Sequence, residues 1–373
     1  MKTFINTCIH FFKKETVLCI AGFLAFISAF FVHPSAAYMG YIDFRVLSLL
    51  FSLMLVVAGF QSIGLFHCLG SALLTKVHTT RQLILVLSLL CFFSSMFITN
   101  DVALLTFVPF AIMILTMAGQ QKFLISTIVL QTIGANLGSM FTPVGNPQNL
   151  YLASAFSLST GTFLIRMFPL TALSLVLLVA AACMLPSTPV DIASQTAAER
   201  PEPKKLAVYL VLFMTCLGCV SHLIPYPVML VLVLITLLFI NRTLFQKADY
   251  FLLLTFVFFF LFIGNVQNIP AVSDLLHKLI RGRELGAGIL LSQCISNVPA
   301  AILLSGFTDQ VIPLLYGVNI GGLGTLIASL ASLISYRFYV GTENAHTGRY
   351  MKVFTLYNVI FLIILALVAW KIL

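Results

Sequence analysis

The chain has 373 residues, 60% of them hydrophobic and 8% charged, with a formal net charge of +9 and a mean hydropathy of +1.09. Soluble domains carry about 25% charged residues, so composition excludes a soluble enzyme or binding module and predicts an all-α polytopic membrane protein. The basic excess does not point to nucleic acid as a partner. The Lys and Arg residues sit mostly singly in short loops, as the positive-inside bias of membrane proteins requires.

Lys13 and Lys14 precede an apolar run ending near Val32, and Ser35-Ala36-Ala37 resembles a small-residue cleavage site. The run is longer than a signal core and more spans follow, so it is expected to stay as a first helix. At ~17–25 residues per crossing, helices are expected at 16–32, 44–66, 163–185, 206–222, 227–241, 249–269 and 352–371. Two further regions do not parse as simple spans. Residues 82–118 are two apolar arms meeting at Thr99-Asn100-Asp101, the shape of a re-entrant hairpin, and residues 123–157 are a helix broken at 142–149. The same pair recurs later. Arms 285–295 and 298–306 meet at Ser296-Asn297, within a hairpin over 285–306, and a helix over 311–337 is broken around 319–324.

This recurrence is an internal repeat. Gly59-Phe60-Gln61-Ser62-Ile63 matches Asn265-Val266-Gln267-Asn268-Ile269, and Asn100 matches Asn297. Gly134-Ala135-Asn136-Leu137-Gly138-Ser139-Met140-Phe141-Thr142 aligns without gaps with Gly317-Val318-Asn319-Ile320-Gly321-Gly322-Leu323-Gly324-Thr325. The N-terminal repeat is 1–185 and the C-terminal repeat 206–373, joined by a Pro-, Ser- and Thr-rich linker over 186–205. A hairpin that dips in and returns makes no net crossing, so the single helix 206–222 turns the second repeat over. Two inverted repeats, each with a re-entrant hairpin and a broken transmembrane helix, are expected. With the N-terminus inside, fourteen Lys and Arg fall on cytoplasmic segments and six outside; Lys278, Arg281 and Arg283 run against the bias.

Paired helix breaks at membrane depth mark a secondary-transporter site. Broken backbone survives there only inside protein or against a polar cavity. A broken helix presents N–H groups at one new end, which favour anions, and carbonyls at the other, which suit a hard cation. The substrate-binding candidates are Asn100, Asn146, Pro147, Asn149, Ser296, Asn297, Asn319 and Thr325. The cation-binding candidates are Thr99, Asp101, Asn136, Thr142 and Gly145. Asp101 is the only charged residue between Arg81 and Lys122. An unpaired carboxylate in lipid costs several kcal/mol, so it is paired, cation-bound or protonated. It could also cap the second hairpin arm. For the small and hydroxyl residues the competing role is helix packing. No Arg, Lys or His falls inside the four motifs, so an anion would be held by dipoles, amides and co-bound cations. The eight cysteines, including the mid-helix Cys216 and Cys219, are expected to act as small hydrophobes rather than as metal ligands or disulfides.

Thr99-Asn100-Asp101, the 134–138 glycine–asparagine motif and Thr142-Pro143-Val144-Gly145-Asn146-Pro147-Gln148-Asn149 together resemble the ion transporter superfamily. That group includes arsenite permeases, citrate and dicarboxylate transporters and sodium/proton antiporters. The resemblance implies inverted repeats, a homodimer and an elevator motion. Sodium-coupled dicarboxylate members carry Ser-Asn-Thr at both tips. Here the third positions are Asp101 and Val298, which resembles the arsenite-permease and antiporter branch more closely. The expected function is secondary active transport of a small anion, a di- or tricarboxylate or an oxyanion, coupled to Na⁺ or H⁺. The alternative is arsenite or antimonite efflux, or Na⁺/H⁺ antiport. No cofactor is expected beyond Na⁺ as coupling ion, and the location is a cell membrane of bacterial inner-membrane type. A membrane-embedded enzyme would show clustered acids, histidines or metal ligands, and a channel would not need paired broken helices.

Overall fold

The computed structural model describes residues 15–74, 77–190, 201–343 and 345–373. The central part of the linker, 191–200, lies outside them, as do Lys2, Lys13, Lys14, Lys76 and Arg200 of the charge count. Among the described residues the protein is helical throughout, with one isolated antiparallel bridge, Thr79 to Pro189. It is an all-α polytopic membrane protein. Among the described residues seven helices are long and apolar enough to cross a membrane by length and composition; they include both arms of the first hairpin, whereas the helices at the spans expected over 16–32 and 227–241 are shorter.

The N-terminal half opens with α1 (Thr16–Phe31), a short α2 (Tyr38–Tyr41) and α3 (Phe44–Ser62). Asp43 starts α3 by accepting the Val46 N–H at 3.0 Å. The span expected at 44–66 ends earlier, because the chain turns at Gly64, whose φ is +68°, before α4 (Leu65–Leu74). The hairpin follows as α5 (Thr80–Ile98) and α6 (Asn100–Met117), and the broken helix as α7 (Leu124–Ser139) and α8 (Pro147–Ala155). Proline at the first turn suits α8, since the missing N–H has no partner there anyway. α9 (Thr160–Cys183) is the last helix before the linker.

The C-terminal half runs α10 (Pro203–Val220), α11 (Tyr226–Ile240), α12 (Tyr250–Gln267), α13 (Pro270–Ile280), α14 (Glu284–Ile295), α15 (Asn297–Ser305), α16 (Val311–Ile320), α17 (Leu330–Val340) and α18 (Thr347–Ile372). α13 was not legible as a span because it is amphipathic and eleven residues long. The two hairpins differ in length. The first has arms of 19 and 18 residues, so each is long enough to cross by itself, against 12 and 9 in the second.

α7 is buried along nearly its whole length and packs on α5, α6, α9, α17 and α18. An apolar helix buried on all sides is the expected state for such a sequence. Two glycines set its approach to α5. A Cβ on Gly138 would lie 1.9 Å from the Phe92 carbonyl oxygen, and one on Gly134 2.9 Å from that of Ser88. Their repeat partners Gly317 and Gly321 seat α16 on α14 in the same way, with contacts at 2.6 Å to the Leu285 carbonyl oxygen and 2.7 Å to the Ser292 hydroxyl.

Candidate functional site

Each hairpin turns on one residue. Thr99 has φ 66° and ψ 150°, and Ser296 has φ 74° and ψ 155°, so the two tips share a backbone conformation that non-glycine residues rarely adopt. One helix therefore ends and the next begins with no loop between them.

The breaks are locked to the tips by matched bonds. The Thr142 hydroxyl donates to the Met96 carbonyl, and the Thr325 hydroxyl donates to the Gln293 carbonyl. Each acceptor lies three residues before its tip residue. Asn146 and Ser329, both extended, precede α8 and α17 at equivalent positions of the gapless alignment. The amide of Gln61, at the end of α3, reaches Thr106 in its own hairpin, and that of Gln267, at the end of α12, reaches Gly306 in its own. These pairs are the same unit built twice.

The two breaks meet at buried asparagines. Asn100 donates through Nδ2 to Asn136 Oδ1 at 2.9 Å, and the Ser329 hydroxyl donates to the same oxygen at 3.0 Å. Asn136 Nδ2 reaches the Gly322 carbonyl at 3.5 Å. Asn319, its repeat partner, donates to Asn149 Oδ1 at 2.7 Å and to the Leu315 carbonyl at 2.8 Å. Each asparagine thus ties its own broken helix to the other repeat. Asn146 donates to Ser139 Oγ at 2.7 Å, while Asn149 Nδ2 holds the carbonyls of Ser139, Met140 and Thr142 at 3.2–3.4 Å.

A cavity of about 220 Å³ opens beside this cluster, lined among others by Thr99, Asp101, Asn146, Pro147, Lys247 and Asp249. It is smaller than the ~300–1,000 Å³ of sites for drug-sized ligands, which suits an ion or a compact anion. α3 forms its opposite wall, and Leu330 brings the first residue of α17 to it. Asp101 Oδ1 and Asn146 Oδ1 are buried without a hydrogen-bond partner among the described residues, as are Asn319 Oδ1 and both polar atoms of Gln148. Buried polar atoms are normally paired, so oxygens left open around a cavity are what a cation or a polar ligand would satisfy.

The structure sorts the expected site residues into three sets. Thr99, Asp101, Asn146 and Pro147 line the cavity. Asn100, Asn136, Asn149, Asn319, Thr142 and Gly145 build the break behind it. The Gly145 N–H donates to the Thr142 hydroxyl oxygen at 3.1 Å, and Gly145 has no room for a side chain, since a Cβ would lie 2.1 Å from the Ser139 carbonyl oxygen. Ser296, Asn297 and Thr325 stay on the second tip. The Ser296 hydroxyl contacts the Ala328 carbonyl at 3.4 Å, and the Asn297 N–H donates to that same carbonyl at 3.0 Å. Thr325 is exposed and spent on Gln293, so it does not join the asparagines.

Sequence reasoning missed Ser329, Gln293, Lys247 and Asp249. Four more columns of the gapless alignment would have paired Ser329 with Asn146. Nothing in the sequence brings 247 and 249 beside 101, because that contact depends on how α12 packs against the first repeat.

An all-helical membrane body with duplicated tips and breaks around buried amides is that of a membrane transporter. The chain belongs to the citrate transporter family, whose pattern matches residues 4–311. It is 32% identical over 332 residues to the uncharacterized transporter MJ0456 of Methanocaldococcus jannaschii, covering 87% of this chain and 88% of that protein. It is also 32% identical over 342 residues to the inner membrane protein YbiR of Escherichia coli, covering 89% and 88%. A shorter similarity, 31% over 129 residues, links it to the silicon efflux transporter LSI3 of Oryza sativa, covering 34% of this chain and 26% of that protein.

Proposed function

We propose that the protein is a secondary active transporter of a small anion, a di- or tricarboxylate or an oxyanion, coupled to Na⁺ or H⁺. The observation that carries this reading is the convergence on one small cavity of three helix N-termini, those of α6, α8 and α17, with the unpartnered carboxylate oxygen of Asp101. Helix N-termini favour an anion and a carboxylate favours a cation, so each ligand offsets the cost of the other. Thr99 and Asp101 are the cation ligands in this scheme, and Asn146 with the first turn of α8 faces the anion. A second, larger cavity of about 540 Å³ lies at the far end of α8, lined by Tyr151, Ala155, Ser305, His277 and Asp309 among others. A broken helix with a cavity at each end supports alternating access.

A second reading has one observation behind it. The asparagine cluster is built without a Lys, Arg or His side chain among the described residues, and the chain is similar over part of its length to a transporter named for silicon efflux. Export of a neutral hydroxide such as arsenite fits an amide-lined site as well. Proteoliposomes decide between them. Saturable uptake of citrate, succinate, sulfate or phosphate that collapses when the Na⁺ or pH gradient is removed is the expected result. Arsenite flux with no anion flux would transfer the function to the second reading, and flux indifferent to both gradients would end the coupled scheme. The inverted arrangement, with the N-terminus inside, belongs to the same proposal: cysteines placed at Ser273 and Thr347 should label from opposite sides. A homodimer in the membrane completes it, and in-membrane cross-linking is the check.

A further inference from the structure

The corner between α13 and α14 carries Lys278, Arg281 and Arg283 within six residues, the cluster that runs against the loop-charge pattern. α13 is too short to cross, and it exposes Val272, Leu275 and Leu279 alongside Lys278. Such a helix lies in a membrane interface with its apolar side down. Arg281 and Arg283 line an open cavity of about 670 Å³ whose other walls include Leu285, Ile289, Pro313 and Trp370. Among the described residues neither guanidinium has an ion-pair or hydrogen-bond partner. The one acidic side chain lining the cavity, Glu284, is buried and turned inward, with Oε1 accepting the Gly282 N–H at 3.0 Å and the Thr308 hydroxyl at 2.9 Å. Asp309 lines the cavity at the end of α8 instead.

Two open guanidinium forks over an apolar wall, edged by an exposed Trp, match the two halves of an amphiphile. Guanidinium binds phosphate oxygens bidentately. Trp sits at the headgroup level of a bilayer, and Leu285 and Ile289 would lie along an acyl chain. A free phosphate ion would leave that apolar wall without a role. We infer that this cavity binds the phosphodiester headgroup of an anionic phospholipid. The basic cluster then reports lipid recognition on its own face, independent of which way the chain is oriented.

The test uses the purified full chain in a neutral detergent, reading lipid adducts by native mass spectrometry and thermal unfolding with added lipid. Phosphatidylglycerol should bind and raise the unfolding temperature, while phosphatidylcholine and inorganic phosphate should not. The Arg281→Gln/Arg283→Gln double variant should bind phosphatidylglycerol about thirtyfold more weakly, at roughly 1 kcal/mol per charge near a membrane surface. The Arg281→Lys/Arg283→Lys variant should fall between, keeping charge but losing the fork. Should the glutamine variant not fold, the lysine variant and the salt dependence of wild-type binding read the same contacts. Equal binding of phosphatidylcholine, stabilisation by phosphate alone, or wild-type affinity in the charge-neutral variant would each overturn the assignment.

Discussion

The two hairpin tips are alike in backbone and unlike in chemistry. Thr99 and Ser296 hold the same unusual dihedrals, and the threonines that lock each break to its tip bond to equivalent carbonyls. The next residues are Asn100 and Asn297 in both, but the third positions are Asp101 and Val298. Only the first tip places a carboxylate on the cavity. The two tips thus share their backbone geometry, whereas only the first carries a charge.

The largest test of the shared geometry is at the glycines that seat the broken helices. A Cβ at Gly138 meets backbone at 1.9 Å, which cannot move without displacing α5. At Gly321 the closest approaches, 2.7 Å, are to the Ser292 hydroxyl and the Gly317 carbonyl oxygen. Gly138→Ala should therefore cost the top of the ~1–3 kcal/mol range for overpacking, or more, and abolish monodisperse protein. Gly321→Ala should cost less and remain purifiable. Equal thermal unfolding of the two variants would remove the asymmetry of packing.

Asp101→Asn tests the asymmetry of charge. The amide keeps the shape and removes the negative charge, so expression and monodispersity should stay near wild type while the Na⁺ or H⁺ dependence of transport disappears. Ion dependence that survives in this variant would leave Asp101 with a capping role alone. A smaller contrast lies one residue earlier. Asn100 is bonded to Asn136 at 2.9 Å inside the cluster, whereas the side chain of Asn297 is approached by the Ser296 hydroxyl only at 3.5 Å. Loss of a buried hydrogen bond costs roughly 1–3 kcal/mol. Ligand affinity should fall about five- to hundredfold for Asn100→Ala, and by less for Asn297→Ala. The reverse order in an isothermal titration would move the site toward the second tip.

Much of this was legible before any coordinates. The membrane class followed from composition, five of the seven expected spans from apolar run length, and the breaks from polar residues that lipid would not tolerate unless the backbone turned there. The repeat was legible as far as residue identity lasted. Asn136 and Asn319 aligned, but Ser329 stands where the first repeat has Asn146, and a serine in an apolar stretch of sequence gives no signal of its own. Asn149 looked like a ligand because it is an unpaired amide in sequence. In three dimensions four groups claim it: three carbonyls and Asn319. Thr325 looked equivalent to Thr142 and is so in its bond, yet its side chain is exposed. Lys247 and Asp249 reach the cavity only through helix packing, which periodicity does not encode.

The smallest effect is expected at the tip residues themselves, and it separates strain from ligation. Dihedrals such as those of Thr99 and Ser296 cost roughly 1–3 kcal/mol for a non-glycine residue. Glycine removes that cost but adds about 0.5–1 kcal/mol of chain entropy to be lost on folding. Thr99→Gly should therefore stabilise the fold by about 1 kcal/mol, since among the described residues no hydrogen bond of its hydroxyl opposes the change. Ser296→Gly should gain less, because it gives up the 3.4 Å contact with the Ala328 carbonyl. Transport should respond in the opposite order. Thr99 lines the cavity beside Asp101, so its removal should weaken the coupling ion's hold, while Ser296→Gly should leave ion dependence as it is. Lowered unfolding temperatures in both variants would mean that the tips are not strained. Altered ion dependence in Ser296→Gly would mean that the second tip also holds the cation.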